Sequence, residues 1–268
     1  MQTSKIKNLF LLPALIVSLN LILAGRATAQ TFTTLHSFTA LDQTYFTNSD
    51  GSHPQAGLIL SGNIFYGTTR DGSSLGYGTV FAVNTNGSGF TNLYIFTGGN
   101  DGANPEAGLI LSGNTLYGTA HRGGSSGLGT VFAVNTDGSA FRQLHSFTAR
   151  SGAFLTNSDG AFPVGRLILS GNALYGTATV GGSSGEGTVF KVNTNGTGFT
   201  NLHSFTALDQ TYHTNGDGAV PEAGLIISGN TLYGTAGYGG SGGSGTVFAI
   251  NTDGTGFTNL YTFGISRN

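Results

Sequence analysis

The sequence predicts an all-β chain: a β-propeller of four four-stranded blades with a surplus N-terminal strand. Two observations predict it. The phrase Gly57-Leu58-Ile59-Leu60-Ser61-Gly62-Asn63 recurs at 108–114, at 166–172 with Arg166 leading, and at 224–230 with Ile227 for Leu. Self-similarity on this scale marks a repeat architecture. Each copy is followed by a Tyr-Gly-Thr segment at Tyr66, Tyr117, Tyr175 and Tyr233. Fifteen residues after each Tyr stands the Phe of a Gly-Thr-Val-Phe segment, Phe81, Phe132, Phe190 and Phe248, and fifteen further on stand Phe96, Phe147, Phe205 and Phe263. Only the join from that last Phe to the next Tyr varies, 21 residues from Phe96 to Tyr117 and 28 in the two later joins.

Within a unit, strand a is the apolar run Leu58 to Ser61, and Gly62-Asn63 makes a tight hairpin to strand b, Ile64 to Thr69. A Gly- and Ser-rich loop leads to strand c, Thr79 to Asn84. Asn86-Gly87, or Asp137-Gly138 and Asp253-Gly254 in other units, then reverses the chain, because Asn, Asp and Gly tolerate positive φ. Strand d is Phe90 to Phe96, and strict alternation places Phe90, Asn92, Tyr94 and Phe96 on one face. Tight two-residue turns demand antiparallel neighbours, which favours blades over the alternative, an open or solenoidal β-repeat array. The units span about 56–97, 106–148, 164–206 and 223–264 within a single domain, 30–268. Residues 32–38 are a fifth copy of strand d, so there are five d strands for four a-b-c sets. The chain closes a ring by itself or joins a larger ring completed by a second copy.

The first 29 residues read as a secretory signal peptide: Lys5 and Lys7, an apolar run from Leu9 to Leu23, then Ala27-Thr28-Ala29. The protein is expected to be exported, to the cell surface, periplasm or medium, with no membrane span after cleavage. Without Lys5, Lys7 and Arg26, Lys+Arg falls from 10 to 7 against 12 acidic residues, a net charge of −5. That balance excludes a phosphate-backbone binder, so nucleic acid is not an expected partner. There is no Cys, hence no disulfide framework and no thiolate metal site. Only 8% of residues are charged and 46 are Gly, yet 19 Phe and 10 Tyr at regular spacing argue for a packed chain.

The segments Leu-Tyr-Gly-Thr-Ala, Gly-Gly-Ser-Ser-Gly-x-Gly-Thr-Val-Phe and Asn-Thr-Asp-Gly resemble the Gloeo-Verruco (GloVer) tandem repeat of exported bacterial proteins, over about residues 56 to 263. The resemblance implies an extracellular repeat region with no established activity, often followed by a C-terminal sorting segment. The five residues after Phe263 have neither an apolar helix nor a basic tail, which departs from that pattern.

Up-and-down strand order gathers the d-to-a and b-to-c loops at one end of every blade, and loops on a rigid scaffold are where binding groups sit. Four residues after the b-strand Tyr stand Arg70, His121, Thr179 and Gly237; five after, Asp71, Arg122, Val180 and Tyr238; eleven after, Tyr77, Leu128, Glu186 and Ser244. The surrounding glycines hardly change. The candidate ligand-binding residues are therefore Arg70, Asp71, Tyr77, His121, Arg122, Glu186 and Tyr238, although free drift of loop tips gives the same variation.

The d-to-a loops repeat Asp-Gly-x-x-Pro from Asp50, Asp101, Asp159 and Asp217, preceded by Asn48, Asn100, Asn157 and Asn215. Calcium could use such oxygens, but each loop offers one Asp and an Asx turn accounts for the same residues; no cofactor is expected. His36, His145 and His203 share a d-strand position with Tyr94 and Tyr261, which favours packed rings over a metal ring. Glu106 and Glu222 follow Pro in two units, and Glu186 is expected beside Lys191, but no carboxylate pair, Ser-His-Asp order or phosphate loop stands out. The leading expectation is a non-catalytic secreted protein that binds an extracellular glycan or protein through its loop face. A propeller enzyme acting on polysaccharide and a structural surface or matrix component are the alternatives.

Overall fold

The structure, a computed structural model, describes residues 32–264; the expected signal peptide lies outside them. The chain divides into two compact units, Met1–Thr34 and Leu35–Asn268, and Phe32–Thr34 of the first carry no regular structure. The second unit is an all-β propeller of four sheets. The first contains β1 (Ile59–Ser61), β2 (Ile64–Thr69), β3 (Thr79–Asn84) and β4 (Thr91–Ile95), and the second β5 (Ile110–Ser112), β6 (Thr115–Ala120), β7 (Thr130–Asn135) and β8 (Arg142–Ser146). The third contains β9 (Ile168–Ser170), β10 (Ala173–Ala178), β11 (Thr188–Asn193) and β12 (Thr200–Ser204), and the fourth β13 (Ile226–Ser228), β14 (Thr231–Ala236), β15 (Gly243–Asn251) and β16 (Thr258–Gly264). Each sheet is antiparallel in sequence order, so each is one blade. The innermost strands converge on a cavity of about 500 Å³ lined by Ile59, Ile110, Ile168 and Ile226. Arg166 also lines it, its Nε donating to the Leu109 carbonyl at 3.0 Å.

The Tyr-Gly-Thr and Gly-Thr-Val-Phe segments face each other across the b–c ladder, where Gly118 pairs with Phe132. The Phe ring lies over the Gly: a Cβ on Gly118 would stand 2.6 Å from Phe132 Cζ and 2.9 Å from Leu109 Cδ2. Gly67, Gly176 and Gly234 have the same neighbours in their blades. The Thr of Gly-Thr-Val-Phe is fully buried in every blade, and in three its hydroxyl donates to the backbone carbonyl of the d-to-a Asp, as Thr130 does to Asp101.

Strand d departs from strict alternation. Val80 pairs with Tyr94 but Phe81 pairs with Asn92, so Leu93 is an extra residue, and Leu144, Leu202 and Leu260 are bulged alike. One inserted residue turns the rest of a strand over. Phe90 therefore stacks on Phe81 of its own blade, facing backward, while Tyr94 and Phe96 face forward onto Phe141 and Phe132 of the next. The expected single face for Phe90, Tyr94 and Phe96 is thus split. The same exchange joins blades two to three (His145 and Phe147 on Phe199 and Phe190) and three to four (His203 and Phe205 on Phe257 and Phe248). Each junction contains one buried apolar cluster, and Phe96, Phe147 and Phe205 are fully buried.

Residues 35–38, the described part of the surplus d copy in this unit, join no strand ladder, but they occupy a d-strand seat. His36 stacks on Phe90 at 3.8 Å and Phe38 meets Phe81 at 5.7 Å, as the d strand of a preceding blade would.

The same junction explains why His and Tyr interchange. His145 Nε2 donates to Asp159 at 2.9 Å, and His36 and His203 do the same to Asp50 and Asp217. The Tyr94 hydroxyl reaches Asp101 at 3.0 Å. The Thr immediately after Phe38, Phe96, Phe147 and Phe205 adds its amide and hydroxyl to the same carboxylate, as Thr148 does to Asp159. The Asn expected in an Asx turn is also engaged: Asn157 Oδ1 accepts from Gly160 and Gly182, and Asn48 and Asn215 behave alike.

Gly118→Ala forces a methyl group into the Phe132 ring and is expected to destabilise the fold by about 1–3 kcal/mol, read from the urea midpoint. Burial alone would raise the Asp159 pKa, but the His145 and Thr148 bonds outweigh it and leave it below the usual value; Asp50 and Asp217 shift the same way. A lowered folded-state pKa gives stability that is present above the unfolded value, about 3.9, and lost as pH falls through the folded value. The urea midpoint should hold from neutral pH down to about 5 and fall below about 4. Asp159→Asn should lose about 1–3 kcal/mol at pH 7 and show a smaller acid-induced drop.

Candidate functional site

The loop end is assembled by backbone bonds that run between blades. Ala103 and Arg122 exchange amide–carbonyl bonds at 2.8 and 2.9 Å, joining the d-to-a loop to the b-to-c loop of the same blade. The next residue, Asn104, accepts from the His121 amide and donates its own amide to the Tyr77 carbonyl of the preceding blade. Phe162 and Val220 repeat this, donating to the carbonyls of Leu128 and Glu186. Asn104, Phe162 and Val220, which do this double duty, have φ of 53°, 57° and 57°, and His53, whose carbonyl accepts from the Arg70 amide, has φ of 53°. That region disfavours side chains, a β-branched Val most of all, at a cost of about 1–3 kcal/mol per residue. Because the scaffold uses only main-chain atoms here, the side chains at these positions are free to differ.

The structure brings four of the candidates into one cluster between the first two blades. Arg70 Nε lies 3.0 Å from Glu106 Oε1, and Asp71 accepts from Asn104 Nδ2 at 2.8 Å and lies 3.2 Å from His53 Nδ1. His121 is half-buried 5.0 Å from the Phe162 ring, which also lies under the guanidinium groups of Arg122 at 5.5 Å and Arg150 at 5.1 Å. Burial pushes the His121 imidazole down; Glu106 pulls the other way, while Arg122 and Arg70 reinforce burial. The other candidates stand apart. The Tyr77 ring covers Gly98, and Tyr238 is exposed on the fourth blade. Glu186, half-buried, is raised by burial against a bond from the Leu208 amide, with His213 nearby. Its neighbours are thus Leu208 and His213 rather than the expected Lys191. Glu106 is engaged by Arg70 and Glu222 is exposed on another blade, so they form no pair.

The most exposed groups at this end were not among the candidates. Three d-to-a loops are long, and each carries large side chains at its tip: Tyr45 and Phe46, Phe154 and Leu155, Tyr212 and His213. Tyr45, Phe154 and Tyr212 are 76, 70 and 67% exposed. The tips are locked by turns. Asp42 Oδ1 accepts from the Thr44 and Tyr45 amides, Asp209 does the same for Thr211 and Tyr212, and Ser151 and Thr156 exchange backbone bonds. Phe46, Leu155 and His213 hold φ of 55°, 50° and 53°. Their carbonyls or those beside them abut Gly76 and Gly185 of the b-to-c loops and Gly243 at the start of β15, which places all three tips on the loop end. The signal for them was the variable join itself, seven residues longer where a tip is present.

Among the described residues no group of three His, Cys, Asp or Glu is arranged to hold a metal ion, and no helix is long and apolar enough to cross a membrane. Solved structures similar to the chain include a nidogen/laminin complex (16% identity, 75% of this chain and 62% of that one, TM-score 0.47). TolB from Acinetobacter baumannii aligns at 16% identity over 87% of this chain and 46% of its own, TM-score 0.48. A gluconolactonase from Xanthomonas campestris aligns at 18% over 84% and 64%, TM-score 0.46. The chain spans less than two thirds of the length of each. No curated protein matches. The model of the Gloeobacter/Verrucomicrobia repeat matches residues 24–212 and 153–268, overlapping spans that take in all sixteen strands and both terminal blades. The chain belongs to the Gloeobacter/Verrucomicrobia repeat family.

Proposed function

We propose that this propeller is a non-catalytic binding protein that acts outside the cytoplasm and holds a glycan surface on its loop end. One observation carries the reading: aromatic rings stand exposed on turn-locked tips, Tyr45, Phe46, Phe154 and Tyr212, beside Tyr77 and Tyr238 of the b-to-c loops. Exposed aromatic surface is unfavourable in water, and a backbone held at positive φ to keep it there adds cost. Both costs are offset when a ligand covers the rings. Tips fixed in advance lose little conformational freedom on binding. The apolar ring faces suit the C–H faces of sugar rings, and Tyr adds a hydroxyl for the rim of the contact. Arg122 and the Asp71–Asn104 pair supply polar contacts nearby.

The export part of the reading rests on the leader-like first 29 residues. The enzyme alternative draws less support, because the loop-end carboxylates of Glu106 and Asp71 are engaged by Arg70, Asn104 and His53.

An immobilised polysaccharide panel should retain the protein, with product analysis showing no cleavage. Tyr45→Ala and Tyr212→Ala are each expected to weaken retention about tenfold without moving the thermal midpoint. Failure of every polysaccharide to bind, or wild-type binding by both variants, would remove this reading.

A further inference from the structure

The exposed large hydrophobic residues of the second unit fall into two sets. One is the loop end. The other lies on the two outermost blade faces, Leu58 and Leu60 on the first blade and Ile226, Leu260, Tyr261 and Phe263 on the fourth. These residues are equivalent to ones buried or half-buried at the three internal junctions. Leu58 is 49% exposed where Leu109, Leu167 and Leu225 are 1, 2 and 5%, and Phe263 is 46% exposed where Phe96, Phe147 and Phe205 are 0%. Among the described residues no buried cluster joins the fourth blade to the first.

We infer that the forward face of the fourth blade is a docking surface for the backward face of the first blade of a second copy, giving head-to-tail association. The occupant follows from the repeat. Within this chain the forward set Tyr, Val, Ala and Phe (Tyr66, Val80, Ala82, Phe96) packs on the backward set Leu109, Leu116 and Phe132. The fourth blade presents Tyr233, Val247, Ala249 and Phe263, the same four residue types, and the first blade presents Leu58, Phe65 and Phe81. A shallow groove lined by Ile226, Tyr233, Gly234, Thr235 and Val247 lies open on the fourth blade. Thr235 is exposed there, whereas its equivalents Thr68 and Thr177 donate to the Ala107 and Ala223 carbonyls of the following blade. In the second copy the matching acceptor is the Ala56 carbonyl.

The seat on Phe81 and Phe90 is held in the free chain by His36 and Phe38. β16 brings Tyr261 and Phe263 to the same seat, so one must leave. Residues 35–38 belong to no ladder, while β16 is paired along β15. They are the part that yields.

Heterologous contacts have two different faces, which makes them separable by mutation. Tyr261→Arg blocks the fourth-blade face and leaves the first-blade face intact; Leu58→Arg does the reverse. Both side chains are exposed, so circular dichroism and the thermal midpoint should match wild type. Sedimentation equilibrium of the full protein should show concentration-dependent association, with each variant raising the dissociation constant at least about tenfold. Equimolar mixing of the two variants should restore a dimer and nothing larger. A wild-type monomer throughout the micromolar range, association undiminished in either variant, or a mixture that stays monomeric would overturn the inference. Association undiminished in Leu58→Arg alone would point to fourth-blade faces meeting each other.

Discussion

Every blade is held to the next by an aromatic pair that crosses the gap from the d strand, and the rest of the structure depends on that crossing. The forward Phe buries itself completely against the Phe of the next c strand, while the His or Tyr two residues before it stacks on the first ring of the next d strand. Three constraints in the sequence serve this contact. Leu93 and its equivalents bulge so that the forward pair faces across the gap. The b-strand Gly leaves room for the receiving Phe ring. The d-to-a Asp collects donors from both aromatic and Thr, fixing where the chain leaves one blade and enters the next. A Tyr substitutes for His because the requirement is a flat ring with a donor at its tip, which both supply.

The units, their strands and their antiparallel order were legible because they are written in spacing, and spacing survives in sequence. What one chain of letters hides is a change of register. Phe90, Asn92, Tyr94 and Phe96 alternate without fault as text, yet Phe90 and Tyr94 lie on opposite faces because a bulge leaves no gap in the alphabet. The carboxylate junction was hidden for another reason. Asp159 is fourteen residues from His145, and nothing local shows that the d-to-a loop folds back to present one to the other.

The candidate site was legible in the opposite sense, through disagreement between units. Comparing Arg70, His121, Thr179 and Gly237 finds positions where the scaffold asks nothing of the side chain, and the structure supplies the cause: those positions are held by main-chain bonds. The comparison cannot find Tyr45, Phe154 or Tyr212, because the second blade has no matching loop to compare them with. Their common character, a large apolar side chain raised on a locked turn, exists only in three dimensions.

A stack of repeats shares its stability between blade and junction, so its ends are unlike its middle. The two ends of this chain are finished differently. At the first blade, residues 35–51 reproduce the join 202–218 except at Phe46 and Ser49, and they place His36, Phe38, Thr39 and Asp50 as though a blade stood before them. At the fourth, Gly264 stands where Thr39, Thr97, Thr148 and Thr206 would bind an Asp carboxylate. β16 thus keeps the apolar half of the junction and the Tyr261 hydroxyl but lacks the side-chain donor of the Thr amide-and-hydroxyl clamp. The apolar half supplies attraction without direction, while the Thr–Asp–His bonds set orientation through their geometry. A face that lacks the Thr donor should bind its partner less tightly than the internal junctions do. That is the character expected of a reversible contact, and it distinguishes the exposed fourth-blade face from the three internal junctions.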